Sequence, residues 1–408
     1  MAQADVRINN MEMVLSDFEC FASTFCGGIW LTAPLAILDD ICTFDFQCYT
    51  FANNHTMDYS YQGLASTLRA IKERGCAVCG AGMSLEEASS PAIIKSSNGS
   101  VAVLSISSTC DDAARAGDAS GAIPARPGLN MLRHSETFLV TQEHMEALMQ
   151  IAEVTNINGR INNSKQGGYT VIRPDVFSLG PIDFKVSQTE GKISSPDPRD
   201  MARMRECIKK ARHLTNYVVV CVHSHEIKGM LDEESDSFIE EFCRACIDWG
   251  ACAVVGTGTH QIKAVEIYKG KPIFYSIANF IFQSEKVMAL PADYYERYGI
   301  ANTKTAQEAV AVRSQNGTRG LEVEEKNYIG LLPMLEFEDG ELKTAIIQPI
   351  ELGFFQKDST LKGLPYIADD QCTERVFQTL RRLSLSYGTE FLLSEKGIEV
   401  ILDHWSHP

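Results

Sequence analysis

The sequence has no long apolar run. The longest stretches, such as Tyr217–Val222, are strand-length, far short of the ~20 residues a membrane-spanning helix needs. It also lacks a basic start followed by an apolar core and a small-residue cleavage site, the pattern of a secretory signal. As written, the expectation is a cytoplasmic protein, or a membrane-associated one if an anchor lies outside this chain. Basic residues are few: 37 Lys and Arg stand against 53 Asp and Glu, a formal net charge of −16. Phosphate backbones are met by clustered cations, so no nucleic-acid partner is expected. The acid excess fits solubility and a divalent cation drawn into one cleft.

Several motifs are missing as well. There is no GxGxxG opening a helix, no GxxxxGKS/T phosphate loop, no GxSxG elbow and no HExxH. Dinucleotide enzymes, kinases and nucleophile-elbow hydrolases therefore lose support. With 408 residues and 45% hydrophobic content, the chain can bury a sizeable core, and disorder, collagen and coiled coil are excluded. Thirteen cysteines is an odd number that cannot all pair within one chain. Cys221, Cys246 and Cys252 sit in apolar runs as small buried hydrophobes do, which points to a reducing compartment. The pairs Cys76/Cys79 and Cys243/Cys246 have zinc-like spacing, but each fits an ordinary strand or helix core better.

What is present alternates between strand and helix signals. Phe46–Phe51 reads as a buried strand ending in Ala52-Asn53-Asn54-His55. Leu64, Leu68 and Ile71 are spaced four and three apart, predicting a helix over 63–74 that ends at Gly75. A strand is expected at Val101–Ser107, and residues 156–200 turn irregular, as a lid or insertion would. Then come helix Asp200–His213, strand Tyr217–Val222, helix Asp236–Trp249 and strand Cys252–Val255. The strand pairs Ile262–Tyr268 with Ile273–Tyr275 and Leu331–Phe337 with Leu342–Ile350 follow, then a helix near 374–385 and a last strand. Such alternation implies an α/β fold with mixed sheets.

Four of the nine histidines, His55, His223, His225 and His260, fall just after expected strands. Ligands in α/β proteins gather at the carboxyl ends of strands. Imidazoles, carboxamides and carboxylates converging from separate strand ends suggest a metal site built from non-local pieces. His223 and His225, two apart on extended chain, face the same way. In Gly256-Thr257-Gly258-Thr259-His260 the glycines permit close backbone approach to a ligand.

Together these segments resemble the bacterial capsule-synthesis CapA family, poly-γ-glutamate biosynthesis proteins with a calcineurin-like metallophosphatase fold. The resemblance rests on ADVRINNMEMVLSD, FANNHTMDYSYQGLASTLRAIKERGCAVCGAG, ARPGLNMLR, VVVCVHSHE and GACAVVGTGTHQIKAVEIYKGKPIFYSIANFIFQ. The tail, with LKGLPYIAD and LRRLSLSYGTE, looks like the extension of one branch of the family. It implies a metallophosphatase-like four-layer αββα sandwich with two mixed sheets over residues 1–285, the lid at 156–200 included. Residues 286–408 would be a C-terminal extension packed on the same domain. By the same resemblance Glu12, Asn54, His223 and His260 ligate metal, and His55 is the general acid, oriented by Asp58. His225 joins the catalytic residues, and Arg126, Glu226 and Asn279 meet substrate. One or two divalent ions, Mn, Zn or Fe, are implied.

Two features depart from the family pattern. No Gly-Asp, the end of the family's opening strand, precedes Ala4-Asp5, and Thr257 stands where the Gly-His-x-x-His block has a histidine. With two ligand positions fewer, a single-metal or impaired centre is expected. Three functions follow from the resemblance. The first is a metal-dependent hydrolase or transferase of capsule or related cell-envelope peptide biosynthesis, acting at an amide or phosphoester. Its substrate would be a peptide or polyglutamate-like chain, with capsule synthase partners. The second is a peptide epimerase of ribosomal-peptide biosynthesis, with His55 and His225 removing and returning an α-proton. The third is a degenerate, non-catalytic accessory subunit. The charge of −16 opposes direct binding of polyglutamate unless a metal or a cluster of Arg126 and Arg133 offsets it.

Overall fold

In the computed structural model residues 4–169 and 173–402 are described. Residues 1–3, residues 170–172 of the expected lid and residues 403–408 of the expected extension lie outside the described residues. The chain is mixed α/β, with several separate sheets. Strands Ile8–Asn10, Cys48–Thr50 and Ala77–Cys79 form a parallel three-stranded sheet with Cys48–Thr50 in the middle. Helix Ser60–Glu73 lays Leu64, Leu68 and Ile71 into the same core as Tyr49 and Phe51. The four-and-three spacing read from the sequence is thus the face that leaves water, each such side chain contributing about 1.5–3 kcal/mol.

A six-stranded sheet runs in the order Val265–Tyr268, Lys271–Phe274, Ala253–Gly258, Tyr217–Ser224, Gly99–Ser107 and Ala92–Ser96. Its four inner strands are parallel and both edge strands antiparallel. Period-two alternation sends Val218, Val220 and Val222 to a core shared with Met204 and Ile208 of helix Pro198–Leu214 and Phe238 and Phe242 of helix Ser237–Asp248. From the other face, Val103 and Cys221 pack with Cys48 and Cys79 of the smaller sheet. All thirteen cysteines are free. Cys243 and Cys246 are buried in the helix core as the spacing suggested.

The stretch expected to be irregular is in fact ordered, and its sheet begins earlier. Strands Phe177–Leu179, Ile182–Val186, His134–Val140 and Gly191–Pro196 form a four-stranded sheet in that order, beside helix Gln142–Thr155. A further helix spans Gly159–Gln166. These strands bury little and carry few consecutive apolar residues, so the alternation that marks a strand is faint. At the C-terminus, hairpin Ile329–Glu338 and Glu341–Glu351 turns at Asp339-Gly340, as expected. Helix Asp370–Ser384 buries Cys372, Val376 and Leu380 in a core with Val265, Ile267 and Ile347. No helix among the described residues is long and apolar enough to cross a membrane.

Candidate metal centre

The carboxyl ends of four parallel strands, two from each sheet, deliver the polar side chains. Glu12 lies two residues beyond Ile8–Asn10, where Met11 N donates to Thr50 O at 2.9 Å and pins the chain to the next strand. Asn10 Nδ2 donates to Glu12 Oε2 at 2.9 Å. The other carboxylate oxygen, Oε1, is buried without a hydrogen-bond partner. Burial raises the Glu12 pKa, while His260 and His55 oppose the rise. An orphaned anionic oxygen among imidazoles is a donor set in want of a cation.

His223, at the end of Tyr217–Ser224, is the hub. Its Nε2 lies 2.8 Å from Asn54 Oδ1, 3.2 Å from His225 Nε2 and 3.6 Å from Glu12 Oε1. Its Nδ1 meets Thr257 Oγ1 at 2.9 Å. Burial, and then the neighbouring histidines, push the His223 pKa well down. The same causes bring His225 down to about 3. Both rings are therefore neutral at ordinary pH and keep a lone pair for a metal.

His260 follows strand Ala253–Gly258 in a left-handed conformation, φ +60°, a strain of order 1–3 kcal/mol that marks functional sites. Its Nδ1 lies 2.9 Å from Asn279 Oδ1, and Asn279 Nδ2 in turn donates to Asn327 O at 2.8 Å. Ligand atoms of Glu12, His225 and His260 all lie within 4.8 Å of one another, a spacing that could hold a metal ion. These residues fit the implied ion: two imidazole nitrogens and one carboxylate oxygen suit Mn, Zn or Fe. His225, expected among the catalytic residues, is one of these three possible ligands. Asn54 Oδ1 faces His223, and Asn54 Nδ2 donates to Gly27 O at 2.8 Å.

Beside the cluster, His55 Nδ1 is 2.8 Å from Asp58 Oδ2. Asp58 is fully buried and also accepts from Gly27 N at 3.0 Å and Leu31 N at 2.8 Å. Burial pulls the His55 pKa down, but the Asp58 carboxylate outweighs it and holds the imidazole above its usual value. One strand end therefore keeps a histidine able to carry a proton, while the end of Tyr217–Ser224 keeps two histidines bare. Glu12, His55, His223, His260 and Asn279 line one cleft of about 2390 Å³.

The residues expected to meet substrate have the following partners within the protein. Glu226 accepts from the hydroxyls of Ser108 at 2.6 Å, Thr109 at 2.9 Å and Ser224 at 2.8 Å, so both its oxygens are engaged in holding the loop. Asn279 orients His260. Arg126 is exposed, and its Nε donates to Arg115 O at 2.8 Å. Arg133 is engaged by Asp200 at 2.8 Å and Asp197 at 3.4 Å. Sequence reasoning missed Thr257 as a partner of His223, and Asn53, whose Nδ2 donates to Met11 O at 2.7 Å. It also missed Ser108 and Thr109, although two hydroxyl residues directly after a buried strand are a readable signal.

The family described as "Bacterial capsule synthesis protein PGA_cap" matches residues 1–284. Two proteins of Sinorhizobium fredii (strain NBRC 101917 / NGR234), named uncharacterized protein y4sH and uncharacterized protein y4uA, are each 28% identical over 403 residues, covering 96% of this chain and 85% of their own length. The PGA biosynthesis protein CapA of Bacillus subtilis (strain 168) is 22% identical over 238 residues, 58% of this chain and 43% of its own.

Proposed function

The chain belongs to the bacterial capsule synthesis protein PGA_cap family, and from that premise we propose that it is a metal-dependent hydrolase or transferase acting at an amide or phosphoester of a peptide or polyglutamate-like substrate. The observation that carries this reading is the convergence of Glu12, His223, His225 and His260, two of them kept neutral, beside a His55 kept basic by Asp58. The order of packing, with helices on the outer face of each of two sheets that meet through Cys48, Cys79, Val103 and Cys221, supports a metallophosphatase-like four-layer sandwich. Contact of helix Asp370–Ser384 with Val265 and Ile267 supports a C-terminal extension on that same body.

In this reading Glu12, His225 and His260 hold the ion, with His223 and Asn54 at its side. A bound divalent ion would polarise a carbonyl or phosphoryl oxygen and acidify a water. Thr257 fixes the ring of His223 through Nδ1 and leaves Nε2 turned to the cleft. Asn279 does the same for His260. His55 protonates the leaving group from Nε2, since Asp58 occupies Nδ1 and stabilises the imidazolium that precedes transfer.

The placement of His225 against Glu12 and His260 favours this chemistry over an epimerase that uses His225 as an acid–base. Metal analysis after loading with Mn, Zn or Fe tests the reading, with close to one equivalent expected. Less than about one tenth of an equivalent would sink it, because a preorganised site holds its ion. His55→Ala should abolish cleavage of an oligo-γ-glutamate while keeping the metal. If His55→Ala and His223→Ala both behave as wild type, the accessory-subunit reading replaces this one. Solvent deuterium entering a peptide without cleavage would favour the epimerase.

A further inference from the structure

The cleft that holds Glu12, His55, His223 and His260 is also lined by a group of polar side chains, Ser284, Tyr294, Tyr298, Arg313 and Glu322. Ring contacts lead toward it from the metal centre: His260 to Phe282 at 5.6 Å and Phe282 to Tyr328 at 5.2 Å between centroids. Tyr294 is fully buried, and its hydroxyl has no partner at full hydrogen-bond geometry, the Arg313 guanidinium being the group that approaches it. The hydroxyls of Tyr328 and Ser284 also lack a hydrogen-bond partner. A buried hydroxyl without a partner costs energy that a ligand can return.

Arg313 stands at the C-terminal end of helix Ala306–Arg313; burial raises the Tyr294 pKa, and the neighbouring Arg313 opposes that rise. Its nearest carboxylate, Glu322, is 4.0 Å away, too far for a hydrogen bond. Gly320 makes room for both: a Cβ there would lie 2.6 Å from Glu322 Oε2 and 2.8 Å from Arg313 Nη1. On the Tyr328 side, the Lys362 ammonium sits 5.0 Å over the ring and 3.9 Å from Glu285.

We propose that this part of the cleft binds a carboxylate of the substrate, with the Arg313 guanidinium and the Tyr294 hydroxyl as its donors. Planar donors of this kind match the two oxygens of a carboxylate. Glu285 and Glu322 nearby limit the charge the pocket accepts and disfavour a dianionic phosphate. The pocket deepens the proposed function and rests on its acidic-peptide reading: it selects a chain with a carboxylate beyond the residue at the metal centre. In a protein of net charge −16 such recognition would rest on hydrogen-bond geometry at Arg313 and Tyr294 rather than on net charge, because Glu322 and Glu285 balance Arg313 and Lys362.

The test is calorimetric titration of metal-loaded full-length protein with a five-residue oligo-γ-glutamate, against the same oligomer with its α-carboxyls amidated. Wild type is expected to bind the acid form at least about tenfold more tightly, in line with charge-assisted hydrogen bonds. Arg313→Gln should erase that preference, Tyr294→Phe should weaken binding of the acid form about fivefold to tenfold, and Arg313→Lys should restore part of it. Metal content should be unchanged in all three variants. Equal affinity for the two oligomers, no binding of the acid form, or variants that bind as wild type would overturn the proposal. Loss of the metal with the Arg313 effect intact would sink the metal reading and leave the pocket standing.

Discussion

Thr257 Oγ1 lies 2.9 Å from Nδ1 of His223, across the boundary between two parallel strands. The residue that looked like a lost ligand is a partner of the imidazole at the centre of the cluster. Thr257→Val keeps the shape and removes the hydroxyl, leaving a buried ring nitrogen unsatisfied. We expect metal affinity to fall about 10–100-fold and stability to fall by about 1–3 kcal/mol. Metal titration and urea unfolding of the same variant read both. Unchanged metal affinity would mean that Thr257 does not orient the ring.

Asp58 accepts from His55, Gly27 and Leu31 in a fully buried position. Asp58→Ala strands two backbone N–H groups, at about 1–3 kcal/mol each. Asp58→Asn keeps one acceptor oxygen and costs less stability, but it removes the charge that holds His55 basic. Turnover should fall at least about 100-fold in Asp58→Asn, the scale of a lost acid–base group, with metal content unchanged. Full turnover in that variant would remove His55 and Asp58 from the reaction.

Gly258 has φ +134°, and a Cβ there would come within 2.2 Å of Ser224 O. Gly258→Ala must therefore push apart the strand ends that carry His223 and His260. Destabilisation of more than about 1 kcal/mol is expected from the backbone alone, together with loss of metal binding. Thermal unfolding and metal content would show it. An alanine variant of normal stability and full metal would mean that these two strand ends can separate without consequence.

Acid should weaken the fold at the start of helix Pro198–Leu214. Asp197 caps it, accepting from Arg199 N at 2.9 Å, and its pKa is held down to about 2 by the Arg199 side chain, against some burial. Burial works to raise the pKa of Asp200, but Arg133 and Arg203 outweigh it and hold it below its usual value. A depressed carboxylate pKa adds stability above the unfolded value near 4, and that stability is lost as pH falls toward the folded value. Urea midpoints should therefore drop between about pH 4 and pH 2, and less steeply in Asp200→Asn. That variant should itself lose about 3–5 kcal/mol at pH 7 by leaving two arginines without their buried partner.

Much of the layout could be read from local pattern. The helix at 63–74 and the strand at 217–222 were legible because each buries one continuous apolar face, and the hairpin around Asp339-Gly340 because turn chemistry interrupts two runs. The four-stranded sheet that begins at His134 was not, since its strands are mostly half-exposed. Among the site residues, His55, His223, His225 and His260 stood out as histidines just past strands. The hydrogen-bond partners of Asn279 and Arg126 did not, because they lie far along the chain or on the backbone.

The sequence by itself determined which residue types stand at the ends of buried strands, and with them the α/β class and the family resemblance. The class follows from local periodicity and composition, and the resemblance from motif segments in order; neither needs a partner from elsewhere in the chain. Only the tertiary structure decided which nitrogen of His223 faces Asn54 and which faces Thr257, 34 residues away. It also left Glu12 Oε1 unpaired and raised the His55 pKa while lowering that of His225. Burial and long-range hydrogen bonds set those properties, and they exist only once the two sheets have packed.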